Sequence, residues 1–491
     1  MQQNRVYIFL VFLVLLPSLL IAEGKDKKNP PLSTRKSVRA LLPSYVDVDK
    51  CVLEAPEKYL DTLWKHIHKQ ANESVIDDSV SHQSSIIHLG DSHVQAGFFT
   101  DPIRSFFFSN FGYGGVGWVA PYRLAHTNSP SHYTVNSPFS GWRGANIVQR
   151  DVSSMSPGGM HVWQTQRNTI SATITCKDEM YNRFNKVVVF HPTDDIGLIP
   201  APGTTPLFKM SGGKPIANFP KLWTDTIMLQ RADDNITLLV PKNTHWLGAS
   251  LINGDRGAIV HTIGLNGVTF SKYNSNESAI YLKALKPNLI IISLGTNESV
   301  NRNFSYSDFS AQVRQLVRSI RKESPECKII LTSPVYSFQR VRVRRRQYAY
   351  RNNPNVAQIA KACKEVAKKE EIGFINLYKA FGGQQKGYDL VKQNVLARDR
   401  IHLNKEGYIA SGNCIASALE EDYHRFLDAE KERKTIEAQE DINATDAEQI
   451  EVESLEDSDE VQREENQDEK DAMTETQKRE EQKSEDQKQE N

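Results

Sequence analysis

Two short segments of this 491-residue chain contain residues that could perform acyl transfer. Ser92 lies between Asp91 and His93, directly after the apolar run "IIHLG", and Asp399 and His402 stand three positions apart in "ARDRIHLNKEGY". A serine hydroxyl is a weak nucleophile until a base, usually histidine, removes its proton, and a carboxylate beside that histidine fixes its tautomer. One Asp-x-x-His loop can supply both groups. The combination therefore indicates serine-based acyl chemistry.

Acyl transfer also requires hydrogen-bond donors for the oxyanion of the tetrahedral intermediate. Asn297 follows the apolar run "IIISL" in the segment "GTNE", and the segment "HTIGLNGVTF" contains Gly264 and Gly267. We expect donors from the backbone N–H of Ser92 at a helix start, from the N–H of one of these glycines, and from the Asn297 amide. Gly267 is favoured over Gly264 because an Asn-Gly pair suits a tight backbone approach to the oxyanion.

The elements that would position these residues alternate between strand and helix. Apolar runs predict buried strands at 85–89 and 288–295, and apolar residues at helical spacing follow at 309–320. Such alternation is typical of a mostly parallel sheet with helices on both faces, where functional groups gather at the carboxyl ends of the strands. Each motif by itself is a common turn or helix cap. Their order along the chain and their places at strand ends favour a shared site.

The middle of the chain has a different texture. From about Pro130 to Gly254, short alternating runs such as "TISATITC" and "ITLLV" lie between turns rich in proline, glycine and threonine. This pattern predicts a β-sandwich inserted into the α/β domain after its first strand and helix. Trp142, Trp163 and Trp223, together with Trp246, could stack on sugar faces or lie buried in that sandwich.

The formal net charge of zero hides two regions of opposite charge. Residues 441–491 carry 20 acidic and 6 basic side chains, a net charge of −14, so the other 440 residues carry +14. The acidic tail has too few apolar residues to form a core and is predicted to be disordered or a frayed helix. A basic body favours anionic partners, and wall polymers qualify as well as nucleic acid.

The first residues are typical of export. "MQQNRVYIFLVFLVLLPSLLIAEG" has an arginine before an apolar run and a plausible cleavage site near Ala22, which indicates a signal peptide, with an uncleaved membrane anchor as the alternative. Five widely spaced cysteines without a CxxC pair exclude a zinc ribbon and a dense disulfide framework. Oxidation of one or two pairs in an exported chain is compatible with this count.

The ordered set Gly-Asp-Ser, Gly, Gly-x-Asn and Asp-x-x-His resembles the SGNH (GDSL) hydrolases, a family of esterases and lipases. The segments "GYGGVGWVAPYRLA" and "IGLNGVTF", on either side of the β-rich insert, further resemble exported bacterial members that include peptidoglycan O-acetylesterases. This resemblance covers roughly residues 50 to 425. It implies Ser92 as nucleophile, Asp399 and His402 as the rest of the triad, and Ser92, Gly267 and Asn297 as the oxyanion hole.

The resemblance also implies the fold class: a flavodoxin-like three-layer α/β/α domain with an inserted jelly-roll-like β-sandwich resembling a carbohydrate-binding module. His93, Glu298 and Val268 depart from the residues commonest in relatives, and none of the three removes a catalytic atom. The expected divisions are a signal peptide at 1–22, a hydrolase domain at 45–129 and 255–428, a β-sandwich at 130–254 and a disordered acidic tail at 429–491.

These observations predict an exported serine esterase, periplasmic or secreted, that removes O-acetyl groups from a polysaccharide. Peptidoglycan is the favoured polysaccharide, and no cofactor or metal is expected. The expected partner is an acetylated glycan rather than nucleic acid, without stable membrane insertion once the signal peptide is cleaved. The alternatives are a polysaccharide O-acetyltransferase, a plant-polysaccharide acetylesterase and a non-catalytic glycan-binding wall protein. No partner is assigned to the acidic tail.

The sequence does not assign a single role to some further motifs. The arginine-rich segment 340–351 is interpreted either as a solvated loop near the site or as a contact for an anionic glycan or peptide carboxylates. His93 is expected to be structural or to line the substrate site rather than to act as a second base. His66 and His68 do not face each other on a helix, which argues against a metal site there.

Overall fold

The computed structural model describes residues 37–72, 82–149, 156–192, 198–202, 207–215, 222–345 and 347–489. The predicted signal peptide, residues 1–22, lies outside the described residues. Within the described ranges, no helix combines the length and the apolar character that crossing a membrane requires.

The described residues form strands and helices in the following positions. The strands are β1 Leu53–Glu54, β2 His82–Gly90, β3 Gly117–Val119, β4 Tyr133–Asn136, β5 Trp142–Asn146, β6 Met160–Gln164, β7 Ile170–Cys176, β8 Phe184–His191, β9 Ile199–Pro200, β10 Leu207–Pro215, β11 Trp223–Asp233, β12 Asn235–Val240, β13 His245–Trp246, β14 Gly248–Ile252, β15 Arg256–Gly264, β16 Leu289–Ser293, β17 Lys328–Thr332, β18 Gln339–Arg344, β19 Gln347–Arg351 and β20 Gly373–Ile375. The helices are α1 Asp61–Asn72, α2 Ser92–Gln95, α3 Asp101–Phe111, α4 Phe270–Ser275, α5 Ser278–Leu282, α6 Thr296–Ser299, α7 Tyr306–Glu323, α8 Asn355–Lys369, α9 Leu377–Ala380, α10 Gly383–Lys392 and α11 Lys405–Gln489.

The central sheet has the strand order β1-β20-β17-β16-β2-β15. Strands β15, β2, β16, β17 and β20 run parallel, and β1 pairs antiparallel with β20 at one edge. Numbered along the chain, the parallel strands follow the flavodoxin-like order 2-1-3-4-5. The order reverses beside β2, so a crevice for a ligand is expected where β2 and its neighbours end.

Helices cover both faces of this sheet, because successive residues of a strand point to opposite sides. Ile290 and Ile292 of β16 pack into a buried cluster that includes residues of α7 and α8. Leu289 and Ile291 of the same strand pack into a second cluster with residues of α1, α3 and α11, among them the fully buried Trp64. The α/β/α fold class predicted from the sequence is confirmed.

The region between α3 and β15 is rich in antiparallel strands. One sheet has the order β10-β11-β8-β14-β3, a second β4-β7-β12-β9 and a third β13-β6-β5. The insert begins structurally before residue 130, because β3 pairs with β14. Its core is continuous with one face of the central sheet, since both contribute to the same buried cluster. The insert is therefore fixed against the α/β domain rather than tethered to it.

Helix α11 closes the α/β domain and then leaves it. Its first turns are buried against the domain, whereas every side chain from Lys431 to Asn443 is exposed. The tail, predicted over 429–491 to be disordered or a frayed helix, continues α11 as far as Gln489. The tail is rich in helix-favouring Glu, Lys and Gln, and ion pairs such as those of Arg433 with Glu430 and Glu437 link successive turns.

A disulfide bond joins Cys51, just before β1, to Cys414 on α11, with 4.9 Å between the Cα atoms. It therefore ties the start of the described chain to the closing helix across 363 residues. Cys176, Cys327 and Cys363 are buried free thiols. The sequence left this pairing unassigned.

Candidate active site

The segments that follow β2, β15 and β16 leave the central sheet at the same edge. Gly90, at the end of β2, is paired in register with Gly264 of β15 on one side and with Ser293 of β16 on the other. Because these strands are parallel, the residues that follow them emerge at one edge. This register brings Ser92, Gly267 and Asn297 from distant parts of the sequence into one crevice.

Ser92 is the first residue of the short helix α2. The carboxylate of Asp91 caps this helix by accepting a hydrogen bond of 2.9 Å from the backbone N–H of His93. A side chain at Gly90 would put its Cβ 2.3 Å from Val94 Cγ2 and 2.8 Å from Ser293 O, so only glycine lets the strand turn here. The Gly-Asp-Ser order thus builds the turn and presents the hydroxyl.

The histidine and the second carboxylate arrive from a loop just before α11. Ser92 Oγ lies 2.9 Å from His402 Nε2, and His402 Nδ1 lies 2.7 Å from Asp399 Oδ2. Asp399 Oδ1 accepts the backbone N–H groups of Ile401 and His402, each at 3.0 Å. The arrangement can pass a proton from the serine to an imidazole that is oriented by a carboxylate.

The Asp399 carboxylate is held in its ionised form. Burial alone would raise its pKa, but the hydrogen bonds from the His402 ring and from two backbone N–H groups outweigh burial, and the pKa lies below its usual range. The side chains of Asp399 and His402 keep 40% and 39% of their surface exposed. Water can therefore reach the base.

A pocket of about 430 Å³ opens beside Ser92 Oγ. It is lined by Ser92, Ala96, Asn128, Asn266, Gly267, Asn297, His402, Leu403 and Tyr408. Asn297 Nδ2 donates to Val268 O at 2.9 Å and, at a longer 3.4 Å, to Asp91 Oδ2. The Asn297 N–H that points to Asp91 makes only this long hydrogen bond, so it can donate to a substrate oxygen instead.

The two candidate glycines have different environments. Gly267 has a φ of 79°, lines the pocket and has no neighbour closer than 3.5 Å to an added Cβ. Gly264 is packed against α2, where an added Cβ would lie 2.1 Å from Gln95 N, and its carbonyl accepts the Tyr122 hydroxyl at 2.6 Å. Gly264 therefore has a packing role, and Gly267 is the glycine at the site.

Sequence reasoning missed Gln95, which holds the loop that contains Gly267. Its Oε1 accepts the backbone N–H of Asn266 at 2.7 Å, and its Nε2 donates to Asn128 O at 2.7 Å and Thr127 Oγ1 at 3.2 Å. Gln95 is 2% exposed, and a polar residue on the buried side of the helix after Ser92 was the available indication. Asn266 belongs to the Asn-Gly pair singled out in the sequence, but its place in the pocket was not predicted, and Asn128 belongs to no motif.

His93 packs directly behind the ring of His402. Its ring stacks on His402 with centroids 5.1 Å apart and an interplanar angle of 27°, and it meets the Tyr408 ring edge-on at 5.5 Å. Burial first, and the charge of His402 second, lower the pKa of His93 to about 3. The ring is thus neutral at ordinary pH, which is compatible with the structural role expected from the sequence.

Glu298 lies beneath the site and is also mostly neutral in mildly acidic solution. Its Oε1 accepts the Phe270 N–H at 2.8 Å at the start of α4, whereas its Oε2 is buried without a partner in the described structure. Burial raises the pKa of Glu298 to about 7, and burial likewise raises the pKa of Asp91 to about 7.

We expect Glu298→Gln to stabilise the protein at pH 8 and to change little at pH 4. The pKa of Glu298 in the folded state, about 7, exceeds its unfolded value. The favourable contribution of the protonated carboxyl group to stability is therefore fully present below the unfolded pKa and is lost as the pH rises through 7. Glutamine keeps the acceptor for Phe270 and carries no charge. Urea unfolding should show a gain of about 1–3 kcal/mol at pH 8. A gain of equal size at both pH values, or the same pH-dependent gain in the exposed control Glu326→Gln, would contradict this assignment.

Comparison with known proteins agrees with the fold described above. Residues 235–410 match the GDSL-like Lipase/Acylhydrolase family. The structure is similar to a solved peptidoglycan O-acetylesterase with a TM-score of 0.57 and 20% sequence identity, over 78% of this chain and 99% of that chain. A GDSL-like lipase from Bacteroides thetaiotaomicron VPI-5482 matches with a TM-score of 0.23 and 16% identity, over 34% of this chain and 76% of that one. A search of curated protein sequences found no match.

The match over residues 235–410 and the α/β/α fold are both typical of GDSL-like acylhydrolases.

Proposed function

We propose that the chain is an exported esterase that removes O-linked acetyl groups from peptidoglycan. The observation that carries this proposal is the hydrogen-bonded triad of Ser92, His402 and Asp399. Its Ser92 end faces an open pocket lined in part by amide side chains. Amides and hydroxyls suit a sugar ester better than a lipid chain. The choice of polymer is supported by the similarity to a solved peptidoglycan O-acetylesterase over 99% of that chain.

In the proposed reaction, Ser92 Oγ attacks the acetyl carbonyl carbon while its proton passes to His402 Nε2. The ionised Asp399 stabilises the imidazolium that forms. His402 then protonates the departing sugar oxygen, and the acetyl group remains on Ser92. A water molecule, deprotonated by His402, attacks this acetyl-enzyme and releases acetate, which restores the serine hydroxyl.

The oxyanion of each tetrahedral intermediate would be bound by the backbone N–H groups of Ser92 and Gly267 and by Asn297 Nδ2. The N–H of Ser92 belongs to a first helical turn, whose N–H groups have no partner within the helix. The positive φ of Gly267 turns its peptide into the pocket region without a side chain in the way. Removing one such donor typically lowers the rate by ~100- to 1000-fold.

Two features support export and hydrolysis. The disulfide between Cys51 and Cys414 is of a kind that persists in oxidising compartments, and it agrees with the N-terminal signal-like run. The partly exposed His402 and Asp399 give water access to the acetyl-enzyme, which favours hydrolysis over transfer to a sugar acceptor.

We also propose that the insert holds the glycan through an aromatic surface. The Trp163 ring of β6 lies 5.5 Å from the His161 ring at an interplanar angle of 30° and 5.8 Å from the His245 ring at 16°, and the two histidine rings are 6.1 Å apart, so the three rings form one cluster. The ring of Trp163 is partly exposed, unlike the buried Trp142 and Trp246. Burial lowers the pKa of both histidines, so the rings stay neutral at pH 7 and can stack on the apolar faces of sugars.

Trp163→Ala is therefore expected to weaken binding to insoluble peptidoglycan by about tenfold, in line with the stabilisation that a stacked aromatic ring provides. Cosedimentation of the Ser92→Ala chain, with and without Trp163→Ala, measures this without turnover. Met180→Ala, at a side chain that is 73% exposed and outside the aromatic surface, serves as the matched control. Equal binding by both variants would leave the insert as a scaffold.

The proposed function is tested by acetate release from O-acetylated peptidoglycan and from acetylated xylan, with wild type and Ser92→Ala compared side by side. Release from peptidoglycan that Ser92→Ala abolishes is the expected result. Preference for xylan would assign the enzyme to plant polysaccharide. Absence of release from either polymer, by a folded protein, would overturn the proposal.

A further inference from the structure

The sequence segment 340–351 forms the two-stranded hairpin β18–β19, here called the arginine hairpin. Its described arginine side chains are exposed, and none is paired with a carboxylate among the residues that the structure describes. These residues are Arg340, Arg342, Arg344, Arg345 and Arg351. Surface arginines are usually interspersed with acidic partners, so an unpaired group of this size is a strongly cationic patch.

The arginine hairpin is attached to the loop that carries the catalytic carboxylate. The Tyr350 hydroxyl donates to Arg398 O at 3.0 Å, and the Arg400 guanidinium lies 4.7 Å from the centre of the Tyr350 ring. The Phe338 N–H, just before the hairpin, donates to Arg400 O at 2.9 Å. Asp399 stands between the two loop arginines in sequence. The cationic patch therefore packs directly against the loop, residues 398–400, that contains Asp399 of the proposed triad.

The hairpin also offers a flat aromatic surface beside its charges. The guanidinium of Arg340 lies 3.8 Å from the centre of the Tyr348 ring, and Tyr348 is 48% exposed. Arginine pairs with carboxylates through two parallel hydrogen bonds, and an exposed tyrosine ring can contact a sugar face. A phosphate-linked polyol has no comparable flat face. The combination suits a glycan that carries carboxylate groups on its sugars or on attached peptides.

We propose that the arginine hairpin, with Arg398 and Arg400, binds carboxylate groups of the polymer whose acetyl ester enters the Ser92 pocket. This inference rests on the proposed function and narrows its substrate class to a polyanionic acetylated glycan. The carboxylates would lie along the polymer, on one side of the acetylated sugar. Their attraction to the patch would raise the local concentration of polymer at the site and place the ester near Ser92.

The kinetic test uses O-acetylated peptidoglycan and the same material with its carboxylates amidated. For wild type, kcat/KM should be about tenfold higher on the free carboxylates, and this preference should fall with added salt because exposed charges are screened over about 8–10 Å. In the variant Arg342→Gln/Arg344→Gln/Arg345→Gln, the preference should fall to about one, mainly through KM. An unchanged preference in this variant would overturn the proposal.

A matched control removes three cations from the opposite end of the molecule. Lys322 lies in the last turn of α7, and Lys368 and Lys369 lie in the last turn of α8, near the amino ends of the strands rather than the carboxyl ends where Ser92 lies. All three lysines are exposed. Their replacement by glutamine should leave the carboxylate preference unchanged, and an equal loss in this control would show a general charge effect and overturn the assignment to the hairpin.

Binding separates this proposal from the proposed esterase function. If wild type hydrolyses 4-nitrophenyl acetate but releases no acetate from peptidoglycan, the proposed function fails, and cosedimentation of the Ser92→Ala chain with peptidoglycan still tests the hairpin. Binding should fall about tenfold on amidation and on the triple arginine substitution. A loss that follows removal of phosphate polymers by hydrofluoric acid, with no effect of amidation, would overturn the carboxylate assignment.

Discussion

Replacing Ser92 by alanine is expected to lower kcat for ester hydrolysis by at least ~10⁴-fold, and His402→Ala should have an effect of similar size. In the proposed mechanism the two side chains act as one unit, because the 2.9 Å hydrogen bond between Ser92 Oγ and His402 Nε2 would be the path by which Ser92 loses its proton. The double variant should therefore be no slower than either single variant, within a few-fold.

Single-turnover and steady-state hydrolysis of 4-nitrophenyl acetate would measure these effects. Ser131→Ala is a suitable control, since this serine is near α2 but outside the row of hydrogen-bonded groups. Thermal unfolding should verify that each variant is folded. Independent, multiplying losses in the double variant would show that Ser92 and His402 do not act in one step.

The second large effect is expected for Asp399→Asn, which should lower kcat by about 10³- to 10⁴-fold. Oδ1 of Asp399 accepts two backbone N–H groups, whereas Oδ2 accepts His402 Nδ1–H. Asparagine would keep its oxygen at the backbone donors and place its NH₂ group toward His402 Nδ1. The ring would then carry its proton on Nε2, facing Ser92, and could not act as the base.

This geometry makes asparagine no better than alanine at position 399, although it is closer in shape. Asp399→Ala removes the carboxylate without imposing a tautomer, so its kcat should equal or exceed that of Asp399→Asn. The depressed pKa of Asp399 adds that wild-type activity should not be lost through this carboxyl group until the pH falls below the usual aspartate range. A kcat for Asp399→Asn within tenfold of wild type would contradict the arrangement.

Much of the site could be predicted from sequence because its motifs are local. The Gly90-Asp91-Ser92 turn and the Asp399-x-x-His402 loop each act through residues a few positions apart, whose geometry follows from a short stretch of backbone. The strand–helix alternation likewise indicated the α/β class, since hydrophobic periodicity reflects which faces are buried. These features need no knowledge of distant contacts.

Other features depend on which distant segments meet, and only the tertiary structure decided them. The packing of Gly264 against Gln95, which the Asn-Gly pair could not indicate, leaves Gly267 as the glycine that lines the pocket. The pairing of Cys51 with Cys414 joins residues 363 positions apart. The acidic tail, predicted from composition to be disordered or a frayed helix, extends α11, whose first turns are stabilised by packing on the domain.

The same division applies to the arginine-rich segment. Its composition showed a cationic stretch that could be a solvated loop or a glycan contact, because charge alone does not say where a segment lies. The contacts of Tyr350 with Arg398 and Arg400 place it beside Asp399. The sequence by itself thus determined the chemistry available to this protein and its fold class, since both depend on local pattern. The tertiary structure decided which groups share the site, because that depends on strand register and packing between segments far apart in the chain.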